Sequence, residues 1–84
     1  MLHPAYPNPF NASAVIPYEL KKDGFVTLDI YNTLGEQVSS LFSSVKPAGT
    51  YQLQWQPGSL PGGVYVIQLT AGDGIDQEKL IYIK

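Results

Sequence analysis

The stretch that decides the fold class of this chain is TYQLQWQ, residues 50–56. Tyr51, Leu53 and Trp55 alternate with glutamines along it. Because successive side chains of a β-strand point to opposite faces of a sheet, a period of two predicts a strand with one buried face and one solvated face. Such one-sided strands are typical of antiparallel sheets.

The same alternation recurs along the chain, and loops rich in glycine, proline and asparagine interrupt it about every 8–12 residues. It is clear in the second strand, where Val26, Leu28 and Ile30 share one face. No segment repeats its apolar residues with the helical period of about 3.6, so no substantial helix is expected. We predict strands at about residues 14–20, 25–31, 36–45, 50–56, 64–71 and 75–83.

This pattern predicts an all-β fold, an immunoglobulin-like antiparallel β-sandwich of six to seven strands. Pro17 has no backbone N–H, which favours an edge position for the first strand. The third strand is serine-rich and weakly apolar, which favours an edge or a bulged strand. Residues 80–83, LIYI, are apolar on both faces, so the last strand is either buried or has a face that awaits a partner. Gly35 is expected to have a positive φ in a hairpin turn.

The run YPNPFN at residues 6–11 is the most distinctive stretch before the first strand. Pro7 and Pro9 donate no backbone hydrogen bond, so this run is extended and is not a central strand. The rings of Tyr6 and Phe10 are expected to pack against the edge of the sandwich or to form a recognition element for a transporter, and the two roles are compatible because a rigid arm loses less entropy on binding. We predict one domain at residues 1–84, with an extended arm at 1–13 and a sandwich at 14–84.

Composition argues against several classes of function. The net charge is −2, with five lysines and no arginine, so nucleic-acid binding is not expected. The chain has no cysteine and therefore no disulfide or thiolate metal site. No apolar run approaches the roughly 20 residues that span a bilayer. The first residues lack the features of a secretory signal, so the protein is either cytoplasmic or the tail of a longer exported chain with its signal far upstream, and the second interpretation is preferred.

The sequence offers no catalytic constellation. Its one histidine, His3, lies in the arm, and no positioned base stands beside a nucleophile. We therefore expect neither enzymatic activity nor a cofactor. Asp73, Asp76 and Glu78 lie close in sequence but do not have the spacing of an EF-hand loop. A solvated hairpin tip is the favoured interpretation, and calcium binding at these carboxylates stays open.

Several short motifs, in their order and spacing, resemble one family: the type A C-terminal sorting domains of type IX (Por) secretion cargo. This family is related to the immunoglobulin-like domain of flagellar hook-capping proteins. The run at 6–11 matches the family's opening motif in full, whereas Ala12 and Gln56 depart from its common residues. The other matching positions are Tyr31, Asn32, Leu34, Gly35, Ala48, Gly49, Trp55, Gly63, Tyr65, Lys79 and Lys84.

The resemblance implies a non-catalytic secretion signal that directs a larger cargo protein across the outer membrane of a Bacteroidota-like bacterium. It implies three partners: an upstream cargo domain in the same chain, the type IX outer-membrane translocon and a sortase-like protease. The cargo would cross the periplasm and end as a secreted or cell-surface protein. A partner strand that adds to the last strand is the expected mode of recognition. The residues expected to serve recognition are Tyr6, Pro7, Asn8, Pro9, Phe10, Asn11, Gly63, Tyr65, Lys79, Leu80, Tyr82 and Lys84.

Two other functions are compatible with the sequence. One is a structural or assembly module like the hook-capping domain, although a chain end directly after Lys84 favours the sorting signal. The other is a carbohydrate-binding accessory domain, which would need exposed rings at Trp55, Tyr51 or Tyr65. Because these rings lie on the apolar faces of patterned strands, packing in the core is the favoured interpretation.

Overall fold

The computed structural model describes residues 1–72 and 74–84, and these residues form β-strands and loops without a helix. Each strand begins and ends within one residue of its predicted bounds, so the all-β prediction is confirmed. The strands are β1 (Ala14–Leu20), β2 (Gly24–Tyr31), β3 (Gln37–Lys46), β4 (Gly49–Trp55), β5 (Gly63–Ala71) and β6 (Gly74–Tyr82).

The six strands form two antiparallel sheets, consistent with an immunoglobulin-like sandwich. One sheet pairs β1 with β4, and the other has the order β3-β2-β5-β6. Strand β2 therefore pairs with both β3 and β5, while β3 and β6 are the edges of the larger sheet. The chain crosses between the sheets after β1, after β3 and after β4.

The core follows from the alternation in the sequence. Strand β1 buries every second residue from Ala14 to Leu20, and the predicted inward residues Val26, Leu28 and Ile30 of β2 are at most 1% exposed. Each fully buried aliphatic side chain contributes about 1.5–3 kcal/mol relative to an exposed one. The period of two thus places one apolar face of each sheet against the other.

Strand β3 is both an edge strand and a bulged strand, as its serine-rich sequence predicts. Its pairing with β2 shifts register twice, between Leu28 and Asp29 and between Ile30 and Tyr31. Each bulge adds a residue to the strand and increases its local twist, which discourages pairing with another chain at this edge. Gly35 in the preceding hairpin turn has φ +81°, in agreement with the expected positive value.

The arm passes from one sheet to the other. Its first residues run antiparallel to β1 through bridges at Leu2 and Tyr6. Phe10 then pairs in parallel with Tyr82 of β6. Both proline peptide bonds within residues 6–9 are cis. The arm therefore covers β1 and β6 at one side of the sandwich.

Pro17 lies at an edge of the two-stranded sheet, as predicted, but the arm covers that edge. The N–H of Val15 donates to the Tyr6 carbonyl at 2.8 Å, and the Pro17 carbonyl accepts from the N–H of His3 at 3.0 Å. Residues two apart on a strand point their polar groups to the same side, so the missing N–H of Pro17 falls on the arm side. The proline leaves the pairing between β1 and β4 intact, because its backbone nitrogen points toward the arm and away from β4.

At the opposite side of the sandwich, aromatic rings from β1, β3 and β4 form a cluster. The ring of Tyr18 stacks on that of Tyr51 with centroids 5.1 Å apart and lies 5.5 Å from that of Phe42. The Lys46 ammonium lies 4.7 Å from the centroid of the Phe42 ring, within cation–π range. Burial raises the pKa of the Tyr18 phenol above its ordinary value of 10.0, and the neighbouring Tyr51 adds to the shift.

Candidate functional site

The residues singled out by the sequence come from three distant segments and lie together in the fold. We define the arm–β6 edge as residues 6–11 of the arm together with residues 79–84 at the end of the chain. The register of β5 and β6 places Gly63 opposite Tyr82 and Tyr65 opposite Leu80, directly beside this edge. A surface therefore forms from segments about 70 residues apart, as the 73-residue separation of Asn8 and Ile81 illustrates.

The backbone of Phe10 pairs with β6 as a residue of a parallel strand does. Its N–H donates to the Ile81 carbonyl at 2.9 Å, and its carbonyl accepts from the N–H of Ile83 at 2.7 Å. In a parallel ladder, one residue bonds to the neighbours on both sides of its partner, and here that partner is Tyr82. These two bonds use polar groups that an edge strand would otherwise present to solvent.

The side chain of Asn8 repeats this pattern two residues earlier. Its Nδ2 donates to the Lys79 carbonyl at 3.1 Å, and its Oδ1 accepts from the N–H of Ile81 at 3.0 Å. These are the groups on either side of Leu80 that a paired backbone residue would bind. The carboxamide of Asn8 therefore binds β6 in the way that a backbone N–H and C=O would, with one donor and one acceptor.

Phe10 anchors the arm to the core through its ring. It is 2% exposed, and its ring stacks on that of Tyr82 with centroids 5.0 Å apart. It also lies 5.8 Å from Trp55, which meets the edge of the Tyr65 ring at 5.6 Å. Aromatic pairs of this geometry contribute about 0.5–1.5 kcal/mol beyond the area that they bury. Four rings from the arm, β4, β5 and β6 thus form one continuous cluster beneath the edge.

The loop before β5 packs against the end of β6. The Tyr65 hydroxyl donates to the Pro61 carbonyl, and the Lys84 ammonium lies 3.5 Å from the Leu60 carbonyl. A Cβ on Gly62 would lie 3.2 Å from the backbone of both Tyr82 and Lys84, closer than side chains normally approach. The glycine therefore permits close contact between the loop and the last strand.

The predicted recognition residues divide into an exposed set and a buried set. The buried set is between 0% and 7% exposed and packs in the core beneath the edge; it consists of Phe10, Tyr65, Leu80 and Tyr82. Ile81 on the outer side of β6 is half-buried, and Ile83, directly after the strand, is 54% exposed. The last strand is thus buried on one face and open on the other. The exposed members of the predicted set are Tyr6, Pro7, Asn8, Pro9, Asn11, Gly63, Lys79 and Lys84.

Sequence reasoning missed the part that Asp76 plays in holding the arm. Its Oδ2 accepts a hydrogen bond of 2.6 Å from the N–H of Leu2, and its Oδ1 accepts one of 3.0 Å from the N–H of Gln77. The strand period contains the signal, because Asp76 is in phase with the inward residues Leu80 and Tyr82. An acid on the inner face of an edge strand needs a donor, and the arm supplies it.

The structure also bears on the sugar-binding rings and the calcium-binding carboxylates that the sequence raised. Trp55 and Tyr65 are each 4% exposed and Tyr51 is half-buried, so these rings do not form an open platform for a sugar. Asp73 lies outside the described residues. Among residues 1–72 and 74–84, no three potential metal ligands lie close enough to share an ion, and no helix could span a membrane.

The chain matches the model of a known protein family. A family model described as a secretion system C-terminal sorting domain matches residues 4–84, which include most of the arm, both sheets and the end of β6. No curated protein matches the chain at a significant level.

Proposed function

The chain belongs to the family of secretion system C-terminal sorting domains, and from that premise we propose that the arm–β6 edge is the surface that the export machinery recognises. The domain is a sorting signal for type IX secretion, a non-catalytic role that directs a cargo protein out of the cell. The proposal assigns this role to one surface of the fold. It also assigns the direct partner, the outer-membrane translocon of that system.

The observation that carries the proposal is the convergence of the arm and the last strand. Four hydrogen bonds join residues 8 and 10 to residues 79, 81 and 83, and the ring of Phe10 is buried beneath them. Both segments belong to the motifs that carry the family resemblance. Because the edge exists only when the sandwich is folded, a partner that binds it would distinguish a folded cargo tail from an unfolded one.

Lys79 and Lys84 are the charged groups suited to direct contact. Both are exposed, whereas the aromatic residues beneath them are buried. Exposed charges at the rim of an interface mainly govern the rate of association and the choice of partner. The lysines would therefore steer the domain to an acidic surface of the translocon, and the apolar outer side of β6 would supply contact area.

Later steps of export follow from the same proposal. The cargo would precede the domain in the same polypeptide and would pass through the periplasm before reaching the translocon. A sortase-like protease would then remove the domain, so that the cargo is attached to the cell surface or released. The arm is the segment nearest to such a cargo, which suits it to recognition together with the last strand.

An export assay tests the assignment of the surface. Residues 1–84 are fused behind a periplasm-targeted fluorescent reporter in a bacterium with a type IX system and in the same host without its export channel. We expect channel-dependent fluorescence at the surface or in the medium. The variant Lys79→Glu/Lys84→Glu should reduce it severalfold, because the variant repels an acidic partner.

Lys21→Glu/Lys22→Glu is the matched control, because it reverses two charges as well and both lysines are exposed at the opposite end of the sandwich, in the concavity that Gly74 and Ile75 also line. It should export like the unchanged domain. Fluorescence of Trp55 checks that all variants are folded. Export of the double variant at the unchanged level would refute the assignment of the arm–β6 edge.

A further inference from the structure

We propose that the edge of β6 at residues 79–83 is a docking site for an extended polypeptide segment with an aromatic side chain, and that the arm occupies this site in the free domain. The inference rests on the proposed function and deepens it, since it gives the chemistry of the partner segment. That segment runs parallel to β6 and replaces residues 8–10 of the arm.

The bonds already present show that this edge accepts a strand. Phe10 pairs about Tyr82 with its backbone, and Asn8 pairs about Leu80 with its side chain. Any extended segment in parallel orientation can make the same four bonds with backbone groups alone. The docking geometry is therefore set by β6 and does not depend on the sequence of the arm.

The arm pairs with β6 over only a short length of the strand. Among the described arm residues, Phe10 alone pairs with β6 through its backbone, and Asn8 pairs through its side chain. Pro7, Asn8 and Pro9 are exposed, and Phe10 alone is buried in this part of the arm. A partner strand that pairs through its backbone at every second residue could continue along β6 toward Gln77 and bind more of the edge than the arm does.

Exchange requires movement of only a few residues. Tyr6 is held to β1 by hydrogen bonds of 2.8 and 3.0 Å with Val15, and β1 itself begins at Ala14. Residues 7–13 thus form a loop that is fixed at both ends and that can lift from β6 while the remainder of the arm stays paired. Asn11 and Ala12 within this loop are exposed.

The aromatic requirement comes from the space that the Phe10 ring fills. This ring lies against Tyr82 and Trp55 with centroids 5.0 and 5.8 Å away. A segment that displaced the arm without filling this space would leave a cavity in the core, which is strongly unfavourable. The partner therefore needs an aromatic side chain at the residue that pairs opposite Tyr82.

Peptide binding to the full chain tests the exchange. The probe is a fluorescein-labelled peptide with the sequence of residues 5–13, AYPNPFNAS, and the readout is its fluorescence anisotropy. Asn8→Ala removes two hydrogen bonds from the internal competitor and leaves the peptide unchanged. We expect the peptide to bind this variant about tenfold more tightly than the unchanged domain.

Two controls define the site. Asn11→Ala alters another exposed asparagine of the arm, one with no side-chain hydrogen bond to the described residues, and should bind the peptide like the unchanged domain. A peptide with alanine in place of its phenylalanine should not bind. In the Asn8→Ala variant, bound peptide should also slow hydrogen exchange of the Ile81 and Ile83 amides. Should that variant not fold, Asn8→Asp serves instead, because it keeps the acceptor for Ile81 and loses only the donor.

Equal binding to the variant and the unchanged domain would overturn the inference, as would binding that ignores the phenylalanine of the peptide. A dimer of Asn8→Ala that forms without peptide would also overturn it, because the edge would then belong to a second copy of the chain. The measurement needs no export machinery. Absent peptide binding with charge-dependent export would refute the exchange alone, whereas charge-independent export would refute the recognition surface.

Discussion

Replacement of Phe10 by alanine tests whether the arm belongs to the cooperative fold. Phe10 is 2% exposed, and the centroid of its ring lies 5.0 Å from that of Tyr82 and 5.8 Å from that of Trp55. Removal of the ring therefore leaves a cavity lined by two aromatic rings. Truncations of this kind cost about 3–5 kcal/mol. We expect about 3 kcal/mol, because the loop at residues 7–13 can partly collapse into the space.

That loss is large for a chain of this size. Domains have about 0.05–0.15 kcal/mol of stability per residue, which is roughly 4–13 kcal/mol for 84 residues. With an unfolding entropy of about 2.1 cal/mol/K per residue, a loss of 3 kcal/mol lowers Tm by roughly 15–20 °C. The variant would therefore be partly unfolded near physiological temperature if the domain lies at the low end of this range.

Urea unfolding followed by the fluorescence of Trp55 measures the effect, since this is the one tryptophan and it contacts Phe10. Phe10→Leu should lose less than the alanine variant, because it fills part of the cavity. Tyr6→Ala is the control within the arm. Because Tyr6 is 49% exposed, this change should lower the free energy of unfolding by less than about 1 kcal/mol. Equal losses for Phe10→Ala and Tyr6→Ala would refute the packing of the arm in the core.

Three further predictions concern other parts of the fold. Asn32→Ala removes an oxygen that accepts two backbone N–H groups of the β2–β3 turn at 2.9 and 3.0 Å, and it should lower the free energy of unfolding in urea by about 1–2 kcal/mol; unchanged stability would contradict this account of the turn. Gly62→Ala places a Cβ 3.2 Å from the Tyr82 carbonyl, and it should lower Tm through a cost of about 1–3 kcal/mol, whereas an unchanged Tm would show that the loop has room. The folded-state pKa of Tyr18 lies above its ordinary value of 10.0, so the stability it contributes is fully present below pH 10 and is lost as the pH rises through the folded pKa. Tyr18→Phe should therefore lose less stability than the unchanged domain between about pH 9 and pH 12, and equal losses in alkaline urea titrations would contradict the assignment.

The strands were predictable because their signal is local. One-sided burial imposes a period of two, and this period is visible in residues 50–56 and 25–31 without knowledge of their neighbours. The bulged edge strand β3 was predictable for the same reason, since its weak apolar pattern shows that it packs poorly. The family resemblance was likewise a matter of short motifs in order, and the match over residues 4–84 confirms it.

The arm–β6 edge was only partly predictable. The sequence indicated that residues 6–11 and 79–84 take part in recognition, but it left open whether the rings of the arm pack against the sandwich or are exposed. Only the fold places Phe10 inside and leaves Tyr6 half exposed. The pairing of Asn8 with β6 could not be predicted either, because a side chain that imitates a peptide group has no periodic signature.

The sequence by itself therefore determined the strands, their inward faces and the family, because each depends on residues close together along the chain. The tertiary structure decided which strand edges are covered, where the arm crosses between the sheets, and which of the proposed recognition residues are exposed. These features depend on contacts such as that of Asn8 with Ile81, which joins residues 73 positions apart. Contacts of that kind form only when the two sheets bury their apolar faces against each other, so no single segment contains them.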